Sequence, residues 1–242
     1  MSAAWEDIAG AAGSPLLLVA DHASNRVPAG IDLGIPEALL REHVAVDIGV
    51  APLARSICET LCCPGMLGGV SRLVIDCNRE EDAPGLIPES SDGHLIPGNA
   101  GLSSNGREER LVAYFNPYHD RIAELIAENK PKMLISLHSF TPQLSSVDAA
   151  RPWQIGVLYN LDDRAARIAL ALLAVESVIA GDNLPYSGKV LNATMNRHGE
   201  ANGIPYLGIE VRQDLIADEW GVASWSARLE RLITGVAARL DG

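Results

Sequence analysis

Five short runs in this chain of 242 residues carry almost no polar interruption, and they restrict its fold more than any other feature. They are LLLVA (16–20), RLVI (72–75), MLISL (133–137), QIGVLY (154–159) and YLGI (206–209). A strand with one wet face alternates apolar and polar residues, whereas a strand covered on both faces does not. The five runs are therefore predicted as buried strands. Between them lie stretches with helical spacing. Residues 36–61 read as two helices broken near Asp47, and 106–129 as helical with a kink or break at Pro117. Residues 162–180 open on the cap candidates Asp162 and Asp163 and close at Gly181. Residues 215–240 are helical in pattern, with an interruption at Gly221. Strand and helix in series, with no dividing linker, predict one α/β domain over 1–242. Its sheet is expected to be mixed but mostly parallel, with helices on both faces.

Residues 82–105 break this rhythm, with four Gly, three Pro and no usable period. A structureless stretch of that length inside a compact domain is as a rule either functional or disordered. Its isolated Leu86, Ile87, Leu95 and Ile96 point to a segment that packs back on the body as a lid or site wall. Composition removes several partner classes. Nineteen Lys and Arg against 31 Asp and Glu give a net charge of −12, the wrong sign for nucleic acid or an anionic membrane surface. No segment reaches the roughly 18 apolar residues of a membrane span, and the run at 16–20 is too short for a signal peptide. Cys58, Cys62, Cys63 and Cys77 contain no CxxC pair, which argues against a disulfide framework or a zinc ribbon. Reduced thiols in the cytoplasm are the expected state.

The polar residues that follow each run carry the chemistry. After 16–20 comes Asp21-His22-Ala23-Ser24-Asn25, and after 72–75 comes Asp76-Cys77-Asn78-Arg79. His138-Ser139 follows the third run, and Glu210-Val211-Arg212 follows the last. Ligands of open α/β sheets bind at the carboxyl ends of the strands, so these residues are expected to cluster along one edge. Two imidazoles and a carboxylate are a ligand set for catalytic zinc, which makes a nucleophile of water at neutral pH. A further carboxylate can shuttle the proton, and arginines can clamp a substrate carboxylate. Each residue also has a plainer role. A histidine at a strand end can simply be hydrogen-bonded, Glu210 can pair with Arg212, and Arg79 with Glu80 or Glu81. His43, His94 and His119 show no partner pattern and are expected to be solvated or capping. A serine nucleophile, a dinucleotide site and a P-loop are not supported, because GxSxG, GxGxxG and the P-loop pattern are all missing.

The segments HASNRVP, Asp47-Ile48-Gly49-Val50, SRLVIDCNRE, LHSF and GIEVRQDL together resemble the N-formylglutamate amidohydrolase family, in order, from about residue 16 to 217. That family is similar in layout to zinc carboxypeptidases. The resemblance implies a phosphorylase/hydrolase-like α/β fold and a zinc-dependent hydrolase with one Zn2+ ion. The substrate it implies is a small N-acyl amino acid with an acidic side chain, such as N-formyl-L-glutamate. His22 and His138 match the zinc-binding imidazoles, Glu210 the general base, and Asn78 with Arg79 the pair that holds the substrate carboxylate.

In two places the chain departs from these patterns. Carboxypeptidases carry His-x-x-Glu at the first site, whereas the fourth position here is Asn25, a poor zinc ligand. Asp47 is the candidate third ligand, with an N-cap of the following helix as its alternative role. His22-Ala23-Ser24 also replaces the His-Ser-Gly of familiar members, which bears on the acyl group and the amino acid. Residues 185–203 resemble a family segment whose Asn196, Arg197 and His198 are candidate substrate contacts, or else a surface hairpin. Arg79, with Arg212 or Arg197, is expected to pair with the substrate carboxylates. A carboxypeptidase acting on peptides and a non-catalytic binder of carboxylated metabolites are the rival functions. A monomer or small homo-oligomer is the expected state.

Overall fold

Parity along the apolar runs decides how the sheet is faced. In the first run Leu16, Leu18 and Ala20 enter one core while Leu17 and Val19 enter another. The other central runs divide in the same way, Met133, Ile135 and Leu137 against Leu134, and Leu207, Ile209 and Val211 against Tyr206. A strand sends successive side chains to opposite faces, so a run apolar throughout needs a core on each side. The computed structural model describes residues 4–146 and 150–240. Its strands are β1 (Trp5–Ile8), β2 (Leu16–Ala20), β3 (Gly65–Gly68), β4 (Ser90–Ser91), β5 (His94–Leu95), β6 (Met133–Phe140), β7 (Ile155–Leu158), β8 (Ala180–Asp182) and β9 (Tyr206–Arg212). Its α-helices are α1 (Val50–Leu61), α2 (Ser104–Arg110), α3 (Asn116–Asn129), α4 (Arg164–Val175), α5 (Ala193–His198) and α6 (Glu219–Leu240).

Seven strands join in the order β1-β3-β2-β6-β9-β7-β8, and β4 pairs with β5 in a separate hairpin. The central four are parallel, while β1 and β7 run antiparallel to their inner neighbours. Helices α1, α4 and α6 cover one face and α3 the other, as the α/β reading expects. Helix α1 shows why it docks. Val50, Leu53, Ala54, Ile57 and Cys58 are buried at i, i+3, i+4, i+7 and i+8, one apolar stripe.

Several elements differ from expectation. Residues 72–75 form a turn, not a strand. Leu73, Val74 and Ile75 are fully buried, a gain of about 1.5–3 kcal/mol each that needs no extended backbone. The Ser71 hydroxyl accepts from Leu73 N–H and donates to the Ala45 carbonyl, which fixes the turn. The strand in this region is β3, Gly-Met-Leu-Gly, whose glycines disguise it. Gly68 is required there, because a Cβ would overlap the Asp21 carbonyl at the end of β2.

The chain is helical from 104 to 129 without the expected break at Pro117. A π turn at Leu111–Phe115 stands just ahead of it, with Asn116 N–H bonding the Leu111 carbonyl. The wider turn reorganises the hydrogen bonds around a proline that has no N–H. Helix α4 stops at Val175, because the chain turns through Ser177 at φ 57° before β8, which takes up Gly181. Helix α6 runs unbroken past Gly221, whose N–H is received by the Asp218 carboxylate.

The stretch 82–105 packs back as expected, with Leu86 and Ile96 buried, although Leu95 is exposed. Asn99 and Arg110 pin it. Asn99 donates to the carbonyls of Leu73 and Pro88, while Arg110 donates to the Val74 carbonyl and to Asn99 Oδ1.

Candidate active site

β2 and β6 are neighbours in the sheet, so His22, just past β2, meets His138 near the end of β6 with ring centroids 4.9 Å apart. Asp47 comes between them from the loop ahead of α1. Its own N–H bonds the His22 carbonyl at 3.0 Å, and Gly49, at φ 81°, occupies the N-cap of α1 in its place. The capping role is thus taken by another residue, and the Asp47 carboxylate turns inward. His138 Nδ1 lies 2.9 Å and His22 Nδ1 3.4 Å from Asp47 Oδ2. The three residues are buried, with one ligand atom from each lying within 4.8 Å of the others. Asn25 is exposed and plays no part in this group.

Each imidazole has a second buried carboxylate behind it. His22 Nε2 is 2.7 Å from Asp76 Oδ1, and His138 Nε2 is 3.1 Å from Asp21 Oδ2, slightly out of line for a full hydrogen bond. Asp21 Oδ1 accepts from Tyr118 Oη at 2.8 Å and from Thr194 Oγ1 at 2.7 Å. Arg72 ties the aspartates together, with Nη1 3.3 Å from Asp47 Oδ1 and Nη2 2.9 Å from Asp76 Oδ2.

The electrostatics follow from this crowding. Burial opposes charge on Asp21, but His138 and the Thr194 hydroxyl outweigh it and hold its pKa at about 2. Asp47 is held below the usual carboxylate range despite burial, by both histidines. Burial would lower His138, yet Asp21 and Asp47 raise its pKa well above the ordinary imidazole value. His22 is raised too, against burial and Arg72, by Asp76 and Asp47. The site is built to hold positive charge. With buried carboxylates behind both rings and His22 Nδ1 left without a hydrogen bond, the donor set fits a divalent metal ion.

Glu210 stands beside His138 in the β6–β9 register. Its Oε2 is buried without a hydrogen-bond partner, and burial lifts its pKa to about 7 against the pull of His138. The simple ion pair with Arg212 is not formed. Arg212 instead binds Asp214 and reaches the carbonyls of Arg151 and Trp153. His22, Asp47, His138, Glu210, Asn78 and Arg79 all line one cavity of about 280 Å3.

Arg212, Arg197 and His198 do not line it. The Arg197 guanidinium lies 5.9 Å from the Phe115 ring centre, and His198 is buried against His119, their nitrogens 3.0 Å apart. Residues 185–203 form no hairpin but carry α5, whose Thr194 supports Asp21 and Asn78. Arg79 is nearest Asp76, at 3.6 Å, rather than Glu80 or Glu81. Two of the three histidines expected in solvated or capping roles behave otherwise. His119 is buried, and His43 lines the cavity while bonding Asp92 at 3.0 Å.

The sequence reading assigned no role to Asp21, Arg72, Asp76, Asp92 or Tyr186. For Asp21 a signal existed, since a metal-binding histidine commonly leans on a carboxylate and Asp21 adjoins His22. Asp92 sits at the tip of the β4–β5 hairpin and gathers the N–H groups of Ser145 and Ser146, the Ser146 hydroxyl and His43. In this way residues 82–105 supply part of the cavity wall.

Among solved structures, the gene product Atu2144 from Agrobacterium tumefaciens is similar over 99% of this chain and 96% of its own, with 33% identity and a TM-score of 0.94. The N-formylglutamate amidohydrolase from Ralstonia eutropha shares the fold at a TM-score of 0.73 and 19% identity, covering 98% of this chain and 99% of its own. A bacteriophage poly-gamma-glutamate hydrolase is more remote, at 10% identity and a TM-score of 0.52 over 100% and 92% of the two chains. Among curated proteins the sequence has no match. A mixed, mostly parallel sheet whose strand ends gather histidines, aspartates and an unpaired glutamate defines a hydrolase built on an α/β fold, and this one acts on amides. More narrowly, the chain belongs to the N-formylglutamate amidohydrolase family, whose sequence profile matches residues 14–217.

Proposed function

We propose that the chain is a zinc-dependent amidohydrolase that cleaves the amide of a small N-acyl amino acid, with N-formyl as the acyl group the family suggests. The observation that carries this reading is the turn of two imidazoles toward one aspartate, each backed by a buried carboxylate of its own. His22, Asp47 and His138 would hold one zinc ion. Bound there, zinc supplies a Lewis acid for the scissile carbonyl and makes water more acidic. Glu210 takes the proton from the attacking water and returns it to the leaving nitrogen, for which its unpaired Oε2 is available. Asp21 and Asp76 fix which nitrogen of each imidazole carries a proton. Asn78 and Arg79 hold the substrate's carboxylate. A cavity of about 280 Å3 suits a single amino-acid derivative better than a polypeptide. The four cysteines are free, which supports a cytoplasmic setting.

The test is Glu210→Gln. Its kcat on N-formyl amino acids is expected to fall about 10²-fold or more, while zinc content stays that of the parent chain. Near-normal turnover would remove Glu210 from the mechanism.

A further inference from the structure

The chain has 19 Lys and Arg residues, and two of them, Arg72 and Arg79, line the cavity. Residues 147–149, outside the described stretches, are Val, Asp and Ala and add no cation. Arg72 is committed to Asp47 and Asp76, so its charge is already matched twice. Arg79 is different. Its one ionic neighbour among the described residues is Asp76 at 3.6 Å, and its side chain is 34% exposed.

The neutral donors divide the same way. The hydroxyls of Ser139, Thr141 and Ser146 are spent on Ile48 O, Gln143 O and Asp92 Oδ1. Asn78 Oδ1 accepts from Thr194 N–H, which leaves its Nδ2 as a donor beside Arg79. Tyr186 Oη accepts from Arg151, and its own proton has no acceptor among the described residues. The cavity therefore offers one charged clamp, Arg79 with Asn78. Away from it are uncharged donors and the carboxylate of Asp92, to which the His43 imidazole in the same wall is already bonded at 3.0 Å. Burial disfavours charge on Asp92, but Ser146 and two backbone N–H groups keep it ionised.

We propose that the amino acid released here carries a single carboxylate, held by Arg79 and Asn78, and an uncharged polar side chain. This specificity rests on the proposed amidohydrolase reading and narrows it. A second carboxylate would lose its water for neutral partners and face Asp92, whereas a carboxamide can use the same donors without burying a charge. A family profile named for N-formylglutamate does not require the glutamate side chain in every member, because chemistry at the amide and recognition of the side chain use different residues.

The experiment compares N-formyl-L-glutamine with its near-isostere N-formyl-L-glutamate on the zinc-loaded protein. Binding of L-glutamine and L-glutamate is measured in parallel by calorimetry. The expected result is a kcat/KM for the glutamine derivative at least about tenfold above that for the glutamate derivative, with the same order in binding. Arg79→Gln should weaken both amino acids by about tenfold or more. Equal or better use of the glutamate derivative overturns the proposal. If neither derivative is hydrolysed, the amidohydrolase reading fails, and binding alone then decides. Tighter glutamine supports the single-carboxylate pocket, while tighter glutamate, equal affinity or no binding of either overturns it.

Discussion

Asp21 Oδ1 receives two hydroxyls, from Tyr118 at 2.8 Å and Thr194 at 2.7 Å, and this shared acceptor makes a quantitative prediction. Thr194 has one proton to give. The shorter contact to a charged oxygen takes it in preference to the Cys77 carbonyl at 3.2 Å. Tyr118→Phe and Thr194→Val each delete one hydrogen bond to a buried carboxylate that is 3% exposed, while largely preserving shape. Such a bond is worth about 1.5–3 kcal/mol. Each single variant keeps one donor on Oδ1, so its cost should sit near the lower value. The double variant leaves Oδ1 without either hydroxyl, and the desolvation of a buried acceptor with no donor then adds to the two lost bonds. The double variant is therefore expected to lose at least about 1 kcal/mol more than the sum of the singles, outside the ~0.5 kcal/mol scatter of independent sites. Urea unfolding of the four chains at pH 7 without metal closes the cycle, and Thr194→Ser, which keeps the hydroxyl, is expected to behave as the parent. An additive cycle would refute the reasoning, because it would mean that the two hydroxyls do not serve one oxygen.

Three further outcomes follow from the site and its surroundings. Asp21→Asn and Asp76→Asn should each weaken zinc binding by about 10- to 100-fold in competition with a chelator, with the far-UV circular dichroism unchanged. Arg212→Ala and Arg197→Ala should leave KM for an N-formyl amino acid within about twofold, whereas Arg79→Ala raises it by about tenfold or more. Burial and the charge of His198 hold His119 at about 3, and burial with Arg197 holds His198 at about 4. The unfolded chain protonates both near 6.5 while the native chain does not, so stability falls with pH below that value. Each contributes a slope of about 1.4 kcal/mol per pH unit until its folded pKa is reached. Urea unfolding between pH 7 and pH 4.5 should show a shallower decline in His119→Gln, and identical slopes would discount the pair.

The central strands were legible because burial on both faces leaves an unbroken apolar run, which β2, β6 and β9 display. The same criterion misread 72–75, since a buried turn is as apolar as a buried strand, and it passed over β3, whose glycines answer to close approach rather than to propensity. The meeting of His22, Asp47, His138 and Glu210 at one cavity was legible because they lie at or near strand ends or ahead of a helix, where position along the chain predicts position in space. Arg212 shares the parity of Glu210 but lies at the last residue of β9, where the Asp214 carboxylate takes its guanidinium. No local pattern announces such a capture. Arg72 and Asp76 escaped for a related reason. Their roles depend on a turn that brings both against Asp47 and His22, whereas a strand would have held the two about 13 Å apart along one face.

The π turn at Leu111–Phe115 has a consequence for how this helix can change over time. A turn closed by an i→i+5 bond takes up one residue more than its α neighbours, so the segments on either side are out of phase by about 100°. Removing a single residue there would rewind the helix into one spiral and swing either Arg110 out of the wall it pins or Tyr118 off the aspartate it serves. One surplus residue thus lets two jobs share a helix, and it makes chain length at this spot as constrained as residue identity.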